Sequence, residues 1–224
     1  MQQNDLSGLL LIDKPSKITS FKVVSIIRRK FQVKKVGHCG TLDPLACGLM
    51  IILVGKKATK QQDKFMKHDK VYYAKIKLGI KTDTGDLEGQ IISQSDFSKV
   101  TIEQIKDVCN FFVGEIEQEP PMYSALKVNG QKLYDLARKG ITIERKKRKI
   151  TIYSIDVLSY NGSEIEVRVK CSSGTYIRVL AQDIGTKLNT DATLSFLRRE
   201  QIGEYKLENA VSLDLATPTD LINI

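Results

Sequence analysis

The chain has little that would hold a metal. Only four of its 224 residues are cysteines, at 39, 47, 109 and 171, and no two form a CxxC pair. That spacing argues against a zinc site. Histidine is scarcer still, with only His38 and His68. No apolar run reaches the roughly 18 residues that span a bilayer, so no membrane partner is expected. The N-terminal "MQQNDLSG" lacks the basic-then-apolar order of a signal peptide. A cytoplasmic location is the expectation, with all four thiols reduced. Cys109 and Cys171 read as small core residues. No repeat, low-complexity tract or linker interrupts the chain, which favours one domain over residues 1–224.

Positive charge is what the chain has in excess. Lys and Arg number 35 against 26 Asp and Glu, a net +9. Such a balance favours a polyanionic partner. It is also uneven. From Lys127 to Lys149 there are nine Lys or Arg and two acids, Asp135 and Glu144. The run "ERKKRK" (144–149) is densest. It reads either as a solvated turn or as a phosphate-contacting arm, and the basic helix "QKLYDLARKG" beside it favours the arm.

Periodicity supplies a coarse outline. "GLLLID" (8–13) is a buried strand ended by Lys14-Pro15. Thr19 or Ser20 can cap a helix over "FKVVSIIRRKF", with Val23, Val24, Ile27 and Phe31 on one face. "LMIILVG" (49–55) is a second buried strand, and "KKATKQQDKFMKH" a basic helix. In "KVYYAKIKLG" (70–79), Tyr72, Ala74, Ile76 and Leu78 share one face, Tyr73, Lys75 and Lys77 the other. "TDTGDLEG" is a turn, from which "QIISQ" returns antiparallel. Thr101 and Gln104 match a capping box, opening a helix that buries Ile105, Val108, Cys109 and Phe112. Asn129-Gly130 reads as a turn. "KITIYSIDVLSY" and "SEIEVRVKC" form a hairpin about Asn161-Gly162, and "TYIRVLAQDIGTKL" a helix. Strands and helices mix without regular alternation, which predicts an α+β fold around a largely antiparallel sheet flanked by helices.

The most unusual stretch is "KVGHCGTLDPLACGLM" (35–50). Its glycines and Asp-Pro pair suit a loop that holds one side chain in a demanding position. From spacing alone the alternatives stay open. Asp43 reads equally as a chemical carboxylate or a turn residue, His38 as a satisfied structural histidine, and Cys39 or Cys47 as a thiol nucleophile. Tyr72 suits the core. Tyr176 and Arg178 open a helix after "CSSG", where an anion or a plain cap would serve.

A resemblance narrows this. "GHCGTLDPLACG" (37–48) resembles the catalytic motif of the TruB family, bacterial pseudouridine synthases that convert uridine 55 in the T-loop of tRNA. It departs from the family pattern only at Cys39, in place of a small polar residue. "LLLIDKPSKITS" resembles the family's N-terminal Asp-Lys-Pro motif, with Lys17 where glycine is usual. "KVYYAKIKLGIKTDTGD" is similar to its tyrosine-bearing strand. "PPMYSALKVNGQKLYDLARKGI" is similar to the segment that grips the T-stem-loop, a basic insertion at about 120–150. "CSSGTYIRVLAQDIG" and "LSFLRRE" resemble its arginine and Leu-Arg-Arg segments. Together these cover residues 8 to about 203.

The resemblance implies the pseudouridine-synthase fold and an isomerase. Residue by residue, Asp43 matches the nucleophilic aspartate and Tyr72 the tyrosine stacked on the target base. Arg178 matches the arginine paired with the catalytic carboxylate, and Tyr176 a substrate-contacting tyrosine. Leu197 matches an apolar pocket residue, and His38 the histidine that holds the opened T-loop. No cofactor and no metal are expected, because the isomerisation changes no oxidation state. The expected partner is the T-stem-loop of tRNA, met by a monomer without guide RNA. No C-terminal PUA domain is expected within the 224 residues. Two rivals remain: a tRNA-folding chaperone without required catalysis, and the guide-dependent dyskerin-like branch that shares the Asp motif.

Overall fold

The computed structural model describes residues 6–124, 126–128 and 130–224, and the side chains of Lys127 and Lys132 fall outside that description. Asn129 of the expected Asn-Gly turn lies outside it too. In chain order the elements begin with β1 (Gly8–Lys14), α1 (Ser20–Lys30), β2 (Val36–His38), β3 (Cys47–Val54), α2 (Gly55–Thr59) and α3 (Gln62–Met66). They continue with β4 (Lys70–Leu78), β5 (Ile80–Thr82), β6 (Ile91–Gln94), α4 (Ile102–Phe111) and β7 (Gly114–Gln118). Next come β8 (Lys127–Val128), β9 (Gln131–Lys132), α5 (Leu133–Ala137), β10 (Arg148–Tyr160) and β11 (Glu164–Cys171). α6 (Ile177–Lys187), β12 (Ala192–Ile202), β13 (Tyr205–Lys206) and β14 (Val211–Ser212) complete the set. The result is α+β with mostly antiparallel pairings, as the outline predicts.

Two compact units emerge: residues 1–72 with 197–224, and residues 73–196. The chain passes between them within β4 and again within β12.

In the first unit, β1 and β3 are both apolar and pair antiparallel from Gly8↔Val54 to Lys14↔Gly48. β14 joins β1 in parallel, while β2 and the end of β12 join β3. One face of this ladder buries Leu9, Leu11, Leu49, Ile51 and Leu53 against Ala58, Phe65 and Ile202. Completely burying one such aliphatic side chain is worth about 1.5–3 kcal/mol. α1 buries Val23, Val24 and Ile27. The Thr19 hydroxyl caps it by accepting the Lys22 N–H at 3.1 Å. Arg28, Arg29 and Lys30 in its last turn complement the negative end of the helix dipole. Gly48 (φ 100°) lets β3 pass directly against the Arg199 backbone, where a Cβ would lie 2.8 Å from the Arg199 nitrogen.

The second unit orders its strands β12-β4-β11-β10-β7, with β5 and the exposed β6 as a separate pair. β4 alternates buried and half-buried residues, as its sequence predicts. The Asn161 side chain accepts from the Ser163 and Glu164 N–H groups and closes the β10–β11 hairpin. The Thr101–Gln104 capping box is present at the start of α4.

Some expectations need correction. The basic helix at 56–68 is two five-residue helices, α2 and α3, split at Lys60–Gln61. The helix in "QKLYDLARKG" shrinks to α5. Val108 and Phe112 are half-buried rather than buried. β7 and β12 had no counterpart in the outline.

Candidate active site

Residues 39–46 connect β2 to β3 in the first unit, and buried polar groups from three other elements hold this loop. The Lys14 ammonium, at the end of β1, is inaccessible to solvent. It donates to the carbonyls of Pro44 at 3.3 Å and Ala46 at 2.6 Å. The Ser20 hydroxyl, in the first turn of α1, donates to the Leu42 carbonyl at 3.0 Å and accepts the Leu42 N–H at 2.9 Å. Arg199, on β12, donates from Nε to the Leu49 carbonyl at 2.8 Å, from Nη2 to Gly40 at 3.2 Å and from Nη1 to Thr41 at 3.4 Å. Burying a cation is costly unless its donors are satisfied, and here backbone carbonyls satisfy them.

Asp43 sits between these anchors. Its carbonyl accepts the Ala46 N–H at 3.1 Å, which closes the turn. Leu42 before it is buried, and Asp43 itself is half-buried. Both its neighbours are tied down, so the carboxylate is presented from a fixed backbone.

Three other sequence candidates share this unit. His38 ends β2 half-buried, and its Nδ1 is buried without a hydrogen-bond partner among the described residues. Burial first, and the Arg199 charge second, hold its imidazole below the ordinary histidine range, so it is neutral at pH 7. Tyr72 lies on the buried face of β4. Leu197 is buried on β12, next to Arg198 and Arg199, which pair with Cys47 and Gly48.

The thiol alternative fares poorly. Burial pushes the Cys39 thiol up to about 12 and raises that of Cys47. Both are protonated at neutral pH, and a protonated thiol is a weak nucleophile.

Tyr176 and Arg178 belong to the second unit. Tyr176 is the N-cap of α6 and Arg178 lies in its first turn. The buried Gln118 amide pairs with the Tyr176 backbone in both directions. Its Nε2 donates to the Tyr176 carbonyl at 3.1 Å, and its Oε1 accepts the Tyr176 N–H at 2.8 Å. The Arg178 guanidinium is buried and donates to the carbonyls of Thr84 and Tyr123. It also lies 5.9 Å from the Tyr176 ring centroid.

Of the basic segment, residues 141–147 have no regular structure. Arg145 pairs with Glu119 and Lys149 with Glu115, so part of its charge is already met within the unit.

The family model described as TruB family pseudouridylate synthase (N terminal domain) matches residues 28–177. The chain belongs to the TruB family. Among curated TruB relatives, the tRNA pseudouridine synthase B of Endomicrobium trichonymphae is 54% identical, covering 93% of this chain and 90% of that protein. That of Protochlamydia amoebophila is 49% identical over 96% of this chain and 82% of the relative. Among solved structures, a chain of a Cbf5–Nop10–Gar1 complex matches with a TM-score of 0.72 at 30% identity, over 95% of this chain. One of an H/ACA RNP bound to a substrate RNA containing 2′-deoxyuridine matches at 0.70 and 27%. This TruB chain spans about half the length of those two.

The matched residues include the Asp43 loop, Tyr72, Tyr176 and the whole basic segment. Sequence reading passed over the roles of Lys14, Ser20, Gln118 and Arg199. Lys14, Ser20 and Gln118 stand at the ends of β1, α1 and β7 and Arg199 within β12, and none falls in a pattern that names its partner.

Among the described residues, no group of three or more His, Cys, Asp and Glu is placed to hold a metal ion. No described helix is long and apolar enough to cross a membrane.

Proposed function

We propose that this chain isomerises uridine 55 in the T-loop of tRNA to pseudouridine, with Asp43 as the reacting carboxylate. One observation carries the reading: Lys14 and Ser20 fix the residues on either side of Asp43, within a loop that Arg199 also holds. Such anchoring suits a group that must meet a sugar carbon in one geometry. The names of the TruB relatives support tRNA as the substrate.

The reaction breaks the N1–C1′ bond, turns the uracil and joins C5 to C1′. The atoms of substrate and product are the same. A carboxylate suffices to act on the ribose, as nucleophile or base. The target base is stacked within the T-loop and must leave it to react. Tyr72 receives it by stacking, worth about 1–3 kcal/mol, and Leu197 lines the apolar side of the pocket. His38, neutral at pH 7, holds the opened loop. Tyr176 contacts the substrate. The role of Arg178 as the cation that keeps the carboxylate ionised follows from the family resemblance. RNA shape and phosphates dominate recognition, and no guide RNA takes part.

The test is turnover of a bare T-stem-loop transcript by the purified chain. Asp43→Asn keeps the side-chain size and removes the charge. It is expected to lower the single-turnover rate by on the order of 10³-fold or more, with folding and RNA affinity nearly unchanged. Turnover at the wild-type rate would sink the assignment. A chaperone role alone predicts RNA refolding by both proteins and isomerisation by neither.

A further inference from the structure

Among the described residues, three other than glycine adopt left-handed backbone: Lys17 (φ 67°), Gln32 (φ 53°) and Asn189 (φ 57°). Gln32 and Asn189 directly follow Phe31 and Leu188, the C-caps of α1 and α6. A left-handed residue there closes a helix. Lys17 closes nothing. It lies in the turn between β1 and Thr19, the N-cap of α1. A turn can require positive φ at one position, but that requirement favours glycine. It explains the conformation and not the lysine. A Cβ in this region is strained, and strain retained at one residue marks a site where its side chain is needed.

The location of Lys17 shows where that need lies. Its N–H donates to the Pro44 carbonyl at 2.7 Å, one residue beyond Asp43. Ser20 and Leu42 form two further hydrogen bonds between the same two segments. The turn and the Asp43 loop are therefore joined. The Lys17 side chain is exposed and forms no ion pair among the described residues. Lys22 and Phe21 (69% exposed) open α1 just after it, and the first turn of that helix has no acid.

We propose that Lys17 binds a backbone phosphate of the RNA next to the nucleotide that reacts at Asp43. This rests on the reading of Asp43 given above. A nucleotide whose ribose meets Asp43 carries phosphates on both sides. A cation whose backbone is bonded to the same loop stays in register with them. Lysine suits the task as a compact point charge on a long stem.

The experiment uses the whole chain and an unmodified T-stem-loop. Binding is measured across KCl concentrations in the Asp43→Asn background, where no turnover intrudes. Lys17→Gly and Lys17→Met are each expected to weaken binding. Each lowers the slope of log affinity against log salt by about 0.7–0.9, the signature of one phosphate no longer neutralised. Lys17→Arg restores the slope. Lys17→Gly also raises the melting temperature by about 2 °C, because glycine relieves the strain. Loss of affinity together with gained stability is what a merely structural lysine does not produce. A wild-type salt slope in both Lys17→Gly and Lys17→Met overturns the proposal. Turnover by Asp43→Asn itself overturns only the reading of Asp43, because the Lys17 result comes from binding alone.

Discussion

Two sets of cations in this molecule behave in opposite ways. Around the Asp43 loop, Lys14 and Arg199 are buried and give their donors to backbone carbonyls. In the segment at 138–149, Lys139, Lys146 and Lys147 are exposed, and the nearest acids take up only part of the charge. The net +9 therefore mixes two functions. Buried cations fix backbone, and their effect shows as stability and rate. Exposed cations are available to a polyanion such as the RNA proposed above, and there their effect would show as salt-dependent affinity.

The sharpest way to break this contrast is at Arg199. Arg199→Met keeps much of the volume but strands three carbonyls. A buried unsatisfied group costs about 1–3 kcal/mol, and of the three only the Leu49 carbonyl belongs to a buried residue, so the variant should lose at least about 1–3 kcal/mol in urea unfolding. Turnover should fall further than RNA affinity, and Arg199→Lys should recover part of it. A variant as stable as the parent would show that the loop holds itself.

A weaker effect is expected at the basic segment. Neutralising Arg145, Lys146, Lys147 and Arg148 together should flatten the salt dependence of RNA binding. Each phosphate left without its cation takes about 0.7–0.9 from the slope. Because Arg145 already pairs with Glu119, the total should correspond to fewer than four phosphates. Stability should barely move, since surface changes usually stay within about 0.5 kcal/mol. An unchanged slope would return this segment to the status of a solvated turn.

The smallest effect belongs to His38. Its folded-state pKa is depressed, so the unfolded chain binds the proton more readily. Its stabilising contribution is present above the unfolded histidine pKa and is lost as pH falls below it. His38→Gln should accordingly lose less stability than the parent between pH 7 and pH 5.5, in paired urea titrations. Identical losses would mean that His38 is solvated in both states.

Local signals in the sequence translated well. The Thr101–Gln104 capping box, the Asn161-Gly162 turn and the apolar runs of β1 and β3 each act within a few residues, so a reader of the chain can find them. The loop at 35–50 stood out because glycines and proline crowd into it, but only the family resemblance singled out Asp43 within it. β12 was not legible, because Arg199, Thr193 and Ser195 interrupt any simple apolar alternation. Arg199 is buried only because carbonyls more than a hundred residues away receive it. Gln118 likewise meets Tyr176 across 58 positions. A polar residue whose partner is a distant backbone atom leaves no periodic trace. The basic run at 56–68 misled for the opposite reason. Its composition favours helix throughout, but Phe65 is its one buried large side chain, and the helix breaks at Lys60–Gln61.

The distribution of thiols has a practical consequence for following this protein at work. Cys39, Cys109 and Cys171 are buried, whereas Cys47 is only half-buried and stands four residues after Asp43. A thiol-reactive dye applied to the native chain therefore has one favoured attachment point, at the downstream end of the Asp43 loop. Its raised pKa makes that labelling slow, and best done in mild alkali. Protection of Cys47 by bound RNA would then report occupancy of the loop without any substitution in the chain.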